Sequence, residues 1–145
     1  MTAVLATGSG TDKVWRISLH QGLVLIKFQP GAFITHEILK SVYDELNADP
    51  QKYRITNVVY DLRDIVPDPN AGFKEMVDIV EHVKANRQDW WKHDKTAYVV
   101  SGKFSFGMAR MYATLGENKL GHQINIFDND LEAAIQWAKL PADPV

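Results

Sequence analysis

This chain has no cysteine. That excludes disulfides, thiolate nucleophiles and zinc or iron–sulfur sites built on cysteine. It also fits a reducing compartment. Charge of one sign is scarce: 16 basic residues stand against 18 acidic ones, for a formal net charge of -2. A nucleic-acid binder needs a basic surface to neutralise phosphates, so no nucleic acid is expected as a partner. No apolar run approaches the ~20 residues that cross a bilayer, and no transmembrane segment is expected. Met1 to Gly10 has no basic stretch leading into an apolar core. No signal peptide is therefore expected, and the cytoplasm is the expected location.

What is present is apolar mass. Hydrophobic residues make up 46% of 145, enough for one domain with a real core and no staples. Residues 1–12, with Thr7-Gly-Ser-Gly-Thr-Asp12, read as a flexible arm ahead of a domain over 13–145. Val14 to Leu19 and Leu23 to Phe28 read as two strands joined by a short Gln21-Gly22 turn. In the first, Trp15, Ile17 and Leu19 alternate with Arg16 and Ser18, so one face should be wet. The second is apolar throughout and should be central.

Helical spacing over about 35–47 puts Ile38, Leu39, Val42 and Leu46 on one face. Ile55 to Leu62 is a β-branched strand. Asn70 is a candidate N-cap for a helix over about 71–87, with Phe73, Met76, Val77, Val80 and Val83 as its apolar stripe. Lys95 to Val100 is a strand. A helix over about 104–117 follows, with Met108, Met111, Tyr112 and Leu115 inward. Gln123 to Phe127 is the last strand. Asp128-Asn-Asp130 caps a final helix through Leu131, Ala134, Ile135 and Leu140. Strands alternating with helices through short links predict an α/β domain: a mixed, mostly parallel sheet of about five strands covered by about four helices.

These landmarks resemble the STAS-like superfamily, specifically its SpoIIAA-like group, which is structurally akin to the lipid-binding Sec14 fold. The carriers are the opening hairpin, Val58-Val-Tyr-Asp-Leu62, Thr96-Ala-Tyr-Val-Val100 and Ile126-Phe-Asp-Asn-Asp-Leu-Glu-Ala-Ala-Ile-Gln-Trp137, across residues 13–140. The resemblance implies a phosphorylation switch at a serine that opens the helix after the central strand. The matching segment here is Asp68-Pro69-Asn70-Ala71-Gly72. It has no serine, so that switch is expected to be absent.

Candidate sites follow from the strand ends. Asp61, Arg63, Asp64 and Asp68 cluster after one strand, and they suit either a polar ligand or partner, or simple structural pairing. Asn70 lies in the same loop. Phe104, Phe106, Met108, Met111 and Tyr112 give one helix more aromatic and flexible apolar mass than a single core stripe requires. An apolar ligand groove or partner surface would explain them, as would core packing. Trp90 and Trp91 cannot both point inward from one element, and they are candidates for a dimer interface or peripheral membrane contact.

Catalytic chemistry has no support. Ser101-Gly102 lacks the glycine-flanked elbow of serine hydrolases. Thr7-Gly-Ser-Gly10 lies ahead of any expected strand and cannot cradle phosphate. The five histidines, His20, His36, His82, His93 and His122, fall in no ligand spacing, so neither a metal nor another cofactor is expected. The expectation is a non-enzymatic interaction module, homodimeric or docking to a protein. The alternative is a carrier or sensor for a small apolar or lipid-like ligand.

Overall fold

The computed structural model describes the backbone of residues 2–8, and residues 14–48, 57–70, 72–86, 95–102, 107–114 and 123–140. The chain-order elements are β1 (Thr2–Gly8), β2 (Trp15–His20), β3 (Leu23–Phe28), β4 (Phe33–Ile34), α1 (His36–Ala48), β5 (Asn57–Asp61), β6 (Val66–Pro67), α2 (Phe73–Asn86), β7 (Lys95–Val100), a helix α3 described over 107–114, β8 (Gln123–Asp128) and α4 (Leu131–Lys139). Six strands form one sheet in the order β1-β2-β3-β5-β7-β8. The first two pairings are antiparallel; the three that follow are parallel. The expected α/β class and mixed, mostly parallel sheet are what the chain adopts.

Three elements differ from the sequence expectation. Thr2–Gly8, expected within a flexible arm, is a strand that pairs with β2. Its apolar run, Ala3-Val-Leu-Ala6, is too short and too rich in alanine to be a strong strand signal, and the edge of β2 supplies the partner that fixes it. Phe33–Ile34 and Val66–Pro67 form a second, two-stranded parallel sheet. These pieces are too short to leave a periodic signal.

Local chemistry explains the boundaries. Gln21 and Gly22 both take positive φ, 53° and 82°, the two-residue turn that matches strand twist in a hairpin. Thr35 accepts from the Ile38 N–H and starts α1. Helix α2 begins at Phe73, so Asn70 is not its cap. Glu75 reaches back to the Gly72 N–H at 2.7 Å instead, one half of a capping box. Asn70 donates its N–H to the Asp68 carboxylate, closing a short turn. Asp130 caps α4 through the Ala133 N–H, as expected.

The core has two sides. Strand alternation sends Val24, Ile26, Val58, Tyr60, Tyr98 and Val100 to one face and Leu23, Leu25, Val59, Ala97 and Val99 to the other. Among the described residues, helices α1, α2 and α3 cover the first face and α4 covers the second. Ala134, Ile135 and Ala138 of α4 are buried. Leu140, expected inward, is the exposed residue that ends this helix, and Trp137 packs there instead. Ser18, expected wet, is buried; it is the register partner of Leu25, on the face that α4 packs against.

The C-terminus of α4 is tied to the sheet. Lys95 is only 2% exposed, and its ammonium donates to the Trp137 carbonyl at 3.0 Å while lying 4.6 Å from that indole's centroid. That carbonyl also accepts from the Leu140 N–H, and a cation at the C-terminal end of a helix suits the helix dipole. Asn57 works beside it, donating to the Ala138 carbonyl and accepting from the Lys95 N–H. Asn57→Ala is expected to lower unfolding free energy by about 2–3 kcal/mol, since it leaves two backbone groups unpaired. Gln136→Ala, on the exposed face of the same helix, should cost less than about 0.5 kcal/mol. Urea denaturation of the two variants checks this; equal effects would remove the clamp's role.

Candidate functional site

In-register pairing of β5 with β7 sets Tyr60 opposite Tyr98. Both point to the three-helix face, and their rings stack with centroids 5.2 Å apart at 26°. Tyr112 comes down from α3 and meets Tyr98 edge-on, 5.6 Å away at 89°. Both geometries are favoured by the aromatic quadrupole. Around these rings α1 contributes Leu39 and Tyr43, α2 contributes Met76, Ile79 and Val83, and α3 contributes Met108 and Ala109. Ile34 and Pro67 of the small sheet close one side. Together they wall a cavity of about 110 Å³, and with the space around its mouth the volume reaches about 910 Å³.

The wall is apolar with few polar interruptions. Among the described residues, His36 and Asp68 are its titratable groups besides four tyrosines. Burial pushes the phenols of Tyr60 and Tyr98 well above their ordinary value, because a low-dielectric site penalises the phenolate. Burial raises Tyr112 to about 12, with a hydrogen bond from Tyr98 acting in the opposite direction. These hydroxyls therefore stay protonated across the physiological range and serve as neutral donors. All three rings keep some accessible surface, since the cavity itself exposes them.

The acidic strand end lies elsewhere. Tyr60 and Leu62 line the cavity, so Asp61 between them points away. Asp61 takes a two-pronged pair from Arg63: Nε to Oδ1 and Nη2 to Oδ2, both at 2.9 Å. This hydrogen bond raises the guanidinium pKa further. The Asp61 side chain is 10% exposed. The Arg63 carbonyl accepts from the Ser101 hydroxyl, and the Asp64 carbonyl accepts from the Gly31 N–H. Asp61, Arg63 and the Asp64 backbone thus hold neighbouring loops in place. Asp68 is the member of the acidic group that reaches the cavity wall, whereas Asn70 is exposed and outside it.

Of the aromatic and methionine candidates, Met108 and Tyr112 line the cavity. Met111 packs against the α1–α2 cluster around Tyr43 and Val80. Phe104, Phe106, Trp90 and Trp91 lie outside the described residues. Sequence reasoning missed Tyr60 and Tyr98. The available signal was their placement: each is the aromatic residue inside a strand of small and β-branched residues, in Val58-Val-Tyr60 and Thr96-Ala-Tyr98.

One group of three histidine and carboxylate side chains that could hold a metal ion occurs among the described residues: His36, Glu37 and Asp78, with ligand atoms within 4.8 Å. The Lys40 ammonium already sits in it, 2.9 Å from Asp78 and 3.3 Å from Glu37. Asp78 is held below its ordinary value chiefly by Lys40, and Lys40 is raised by Asp78 in return. The cluster is an exposed ion network joining α1 to α2, with its positive charge supplied.

Asp61→Asn is expected to destabilise the fold by about 1–3 kcal/mol, because it leaves a half-buried guanidinium without its anion. Chemical denaturation measures this, and an unchanged midpoint would return Asp61 to the list of ligand-binding groups. The Gly72 N–H holds Glu75 below its ordinary value of 4.5. A carboxylate lowered in the folded state adds stability above its unfolded pKa and loses it as pH falls through the folded one. Glu75→Gln should therefore flatten the fall in stability below pH 4.5 while leaving the alkaline side unchanged; melts across pH read both limbs. No protein-family model matches this chain, and a search of curated proteins also finds no match.

Proposed function

We propose that this domain holds a small apolar or lipid-like molecule, as a carrier or sensor, between its sheet and helices α1, α2 and α3. The observation that carries this reading is the cavity beneath α3. Its wall is aromatic and aliphatic, it is partly open, and its floor is the paired strands β5 and β7. An engineered cavity of about 150 Å³ with an apolar lining binds benzene, so this one suits a ring-sized group, with room for more at the mouth. Resemblance to the SpoIIAA-like, STAS-like group and its Sec14 kinship supports the same reading.

The reading is non-enzymatic. The cavity tyrosines are pushed toward their protonated forms, and the nearby Asp61–Arg63 pair neutralises itself outside the wall. It needs no phosphorylation switch, since Pro69-Asn70-Ala71 stands where the family's serines would be. A cytoplasmic location belongs to the same reading. Among the described residues no helix is long and apolar enough to cross a membrane.

A homodimeric or protein-docking module is the second reading. One observation favours it: Phe33 and Val66 are register partners in the small sheet and are 49% and 47% exposed. Such pairs of exposed apolar side chains mark contact surfaces when they grow into a patch.

Native mass spectrometry of protein purified without denaturant separates the two. A reproducible added mass, extractable into organic solvent as an apolar molecule, is the expected result. Ala109→Phe should fill the cavity and lose that mass while keeping the far-UV circular dichroism of the parent, at a packing cost of about 1–3 kcal/mol. A clean apo dimer would overturn the carrier reading in favour of the interaction module.

A further inference from the structure

The cavity's hydrogen-bonding pattern narrows the ligand class, an inference that rests on the ligand-holding reading above. Tyrosine hydroxyls are its main polar groups. Tyr43 donates to the Val83 carbonyl. Tyr98 and Tyr112 meet edge-on, and each phenol shifts the other's proton affinity. The Tyr60 hydroxyl forms no hydrogen bond among the described residues, although its ring is stacked on Tyr98 and enclosed by the helices. Tyr60 is partly buried and lines the cavity, so its hydroxyl must find a partner again when a bound molecule covers it, and it marks where that molecule gains by accepting.

Charge limits what that partner is. Among the described residues no lysine or arginine lines the cavity. Arg63 is spent on Asp61, and Lys40 on Asp78 and Glu37. His36 directs Nε2 to the Glu37 carboxylate at 3.0 Å. Asp68, at the wall, adds a negative charge. A carboxylate ligand would be desolvated without a counter-ion and repelled as well. An ammonium has donors only and would leave the Tyr60 proton unaccepted.

We infer that the site selects an uncharged apolar molecule carrying a carbonyl-type oxygen, which accepts the hydrogen bond of Tyr60. It discriminates against fatty-acid-like anions. Burial keeps the Tyr60 phenol protonated, so it acts as a donor throughout the physiological range.

Three probes test this by ligand-observed NMR titration of the full chain: ethylbenzene, acetophenone and benzoate. Tyr60→Phe should weaken acetophenone about threefold to tenfold, the effect of one lost hydrogen bond, and change ethylbenzene less than about twofold. In the unmodified protein benzoate should bind at least about tenfold more weakly than acetophenone. The melting temperature of Tyr60→Phe should not fall, because the hydroxyl has no internal partner to lose. Ethylbenzene binding with equal losses for both neutral probes, or with benzoate as tight as acetophenone, overturns the inference but leaves an apolar site. Failure of all three probes to bind overturns both the inference and the carrier reading.

Discussion

Everything in this fold follows from two central strands that are apolar on both faces. β5 and β7 lie inside the sheet, with Val58 and Val59, then Ala97 and Val99, fully or almost fully buried. Neither face tolerates water, so each needs a layer of helix. The two layers meet the requirement differently. Helix α4 presents Ala134 and Ala138, both at 0% exposure, to Val59, Ala97 and Val99. Small residues on both sides let the helix lie close, and that side is filled. On the opposite face Tyr60 and Tyr98 stand up from the same strands, and Tyr112 descends to meet them. Three large rings hold the helices away from the sheet, and the cavity is the space beside them.

This asymmetry is anchored by polar contacts placed at element ends. Lys95 and Asn57 pair the last carbonyls of α4 with the starts of β7 and β5. Asp61, Arg63 and Ser101 bind the loops at the opposite ends of those strands. Both ends of the central strand pair are thereby fixed. The rings of Tyr60 and Tyr98, in the middle, inherit a rigid backbone. Binding sites gain precision when their side chains project from such supported elements rather than from loops.

The sequence made the layers legible and left the site largely hidden. Helices with a strong apolar stripe, such as α1 with Val42 and Leu46, were placed within a residue or two. So were the central strands, because apolar β-branched runs have few alternatives. The edge strand β1 was hidden because its order comes from pairing with β2, a non-local cause. The small β4–β6 sheet was hidden because two-residue strands have no period. The acidic strand end drew attention because charge after an apolar run is conspicuous. Its pairing depends on Arg63 folding back two residues to Asp61, which spacing alone does not reveal. The tyrosine pair was the reverse case: inconspicuous in each strand, and informative only once register sets 60 against 98. Met108 and Tyr112 were found because the α3 segment carried more aromatic and thioether mass than one stripe uses.

The cavity also bears on energetics. Sealed cavities in apolar cores cost roughly 24 cal/mol per Å³. On that scale a volume of about 110 Å³ corresponds to on the order of 2–3 kcal/mol of packing not realised, a sizeable share of a small domain's stability. Water entering by the mouth recovers only part of it, because water needs two to four polar partners and, among the described residues, the wall's polar groups are His36, Asp68 and the tyrosine phenols. A longer side chain at Ala109 is all that filling part of the space would require, and the chain carries alanine there. A bound apolar molecule, as proposed, would supply the missing contacts and would thereby couple occupancy to stability. The same three rings that keep the helices from closing on the sheet would give such a molecule flat apolar walls and, at Tyr60, a phenol with no hydrogen bond among the described residues.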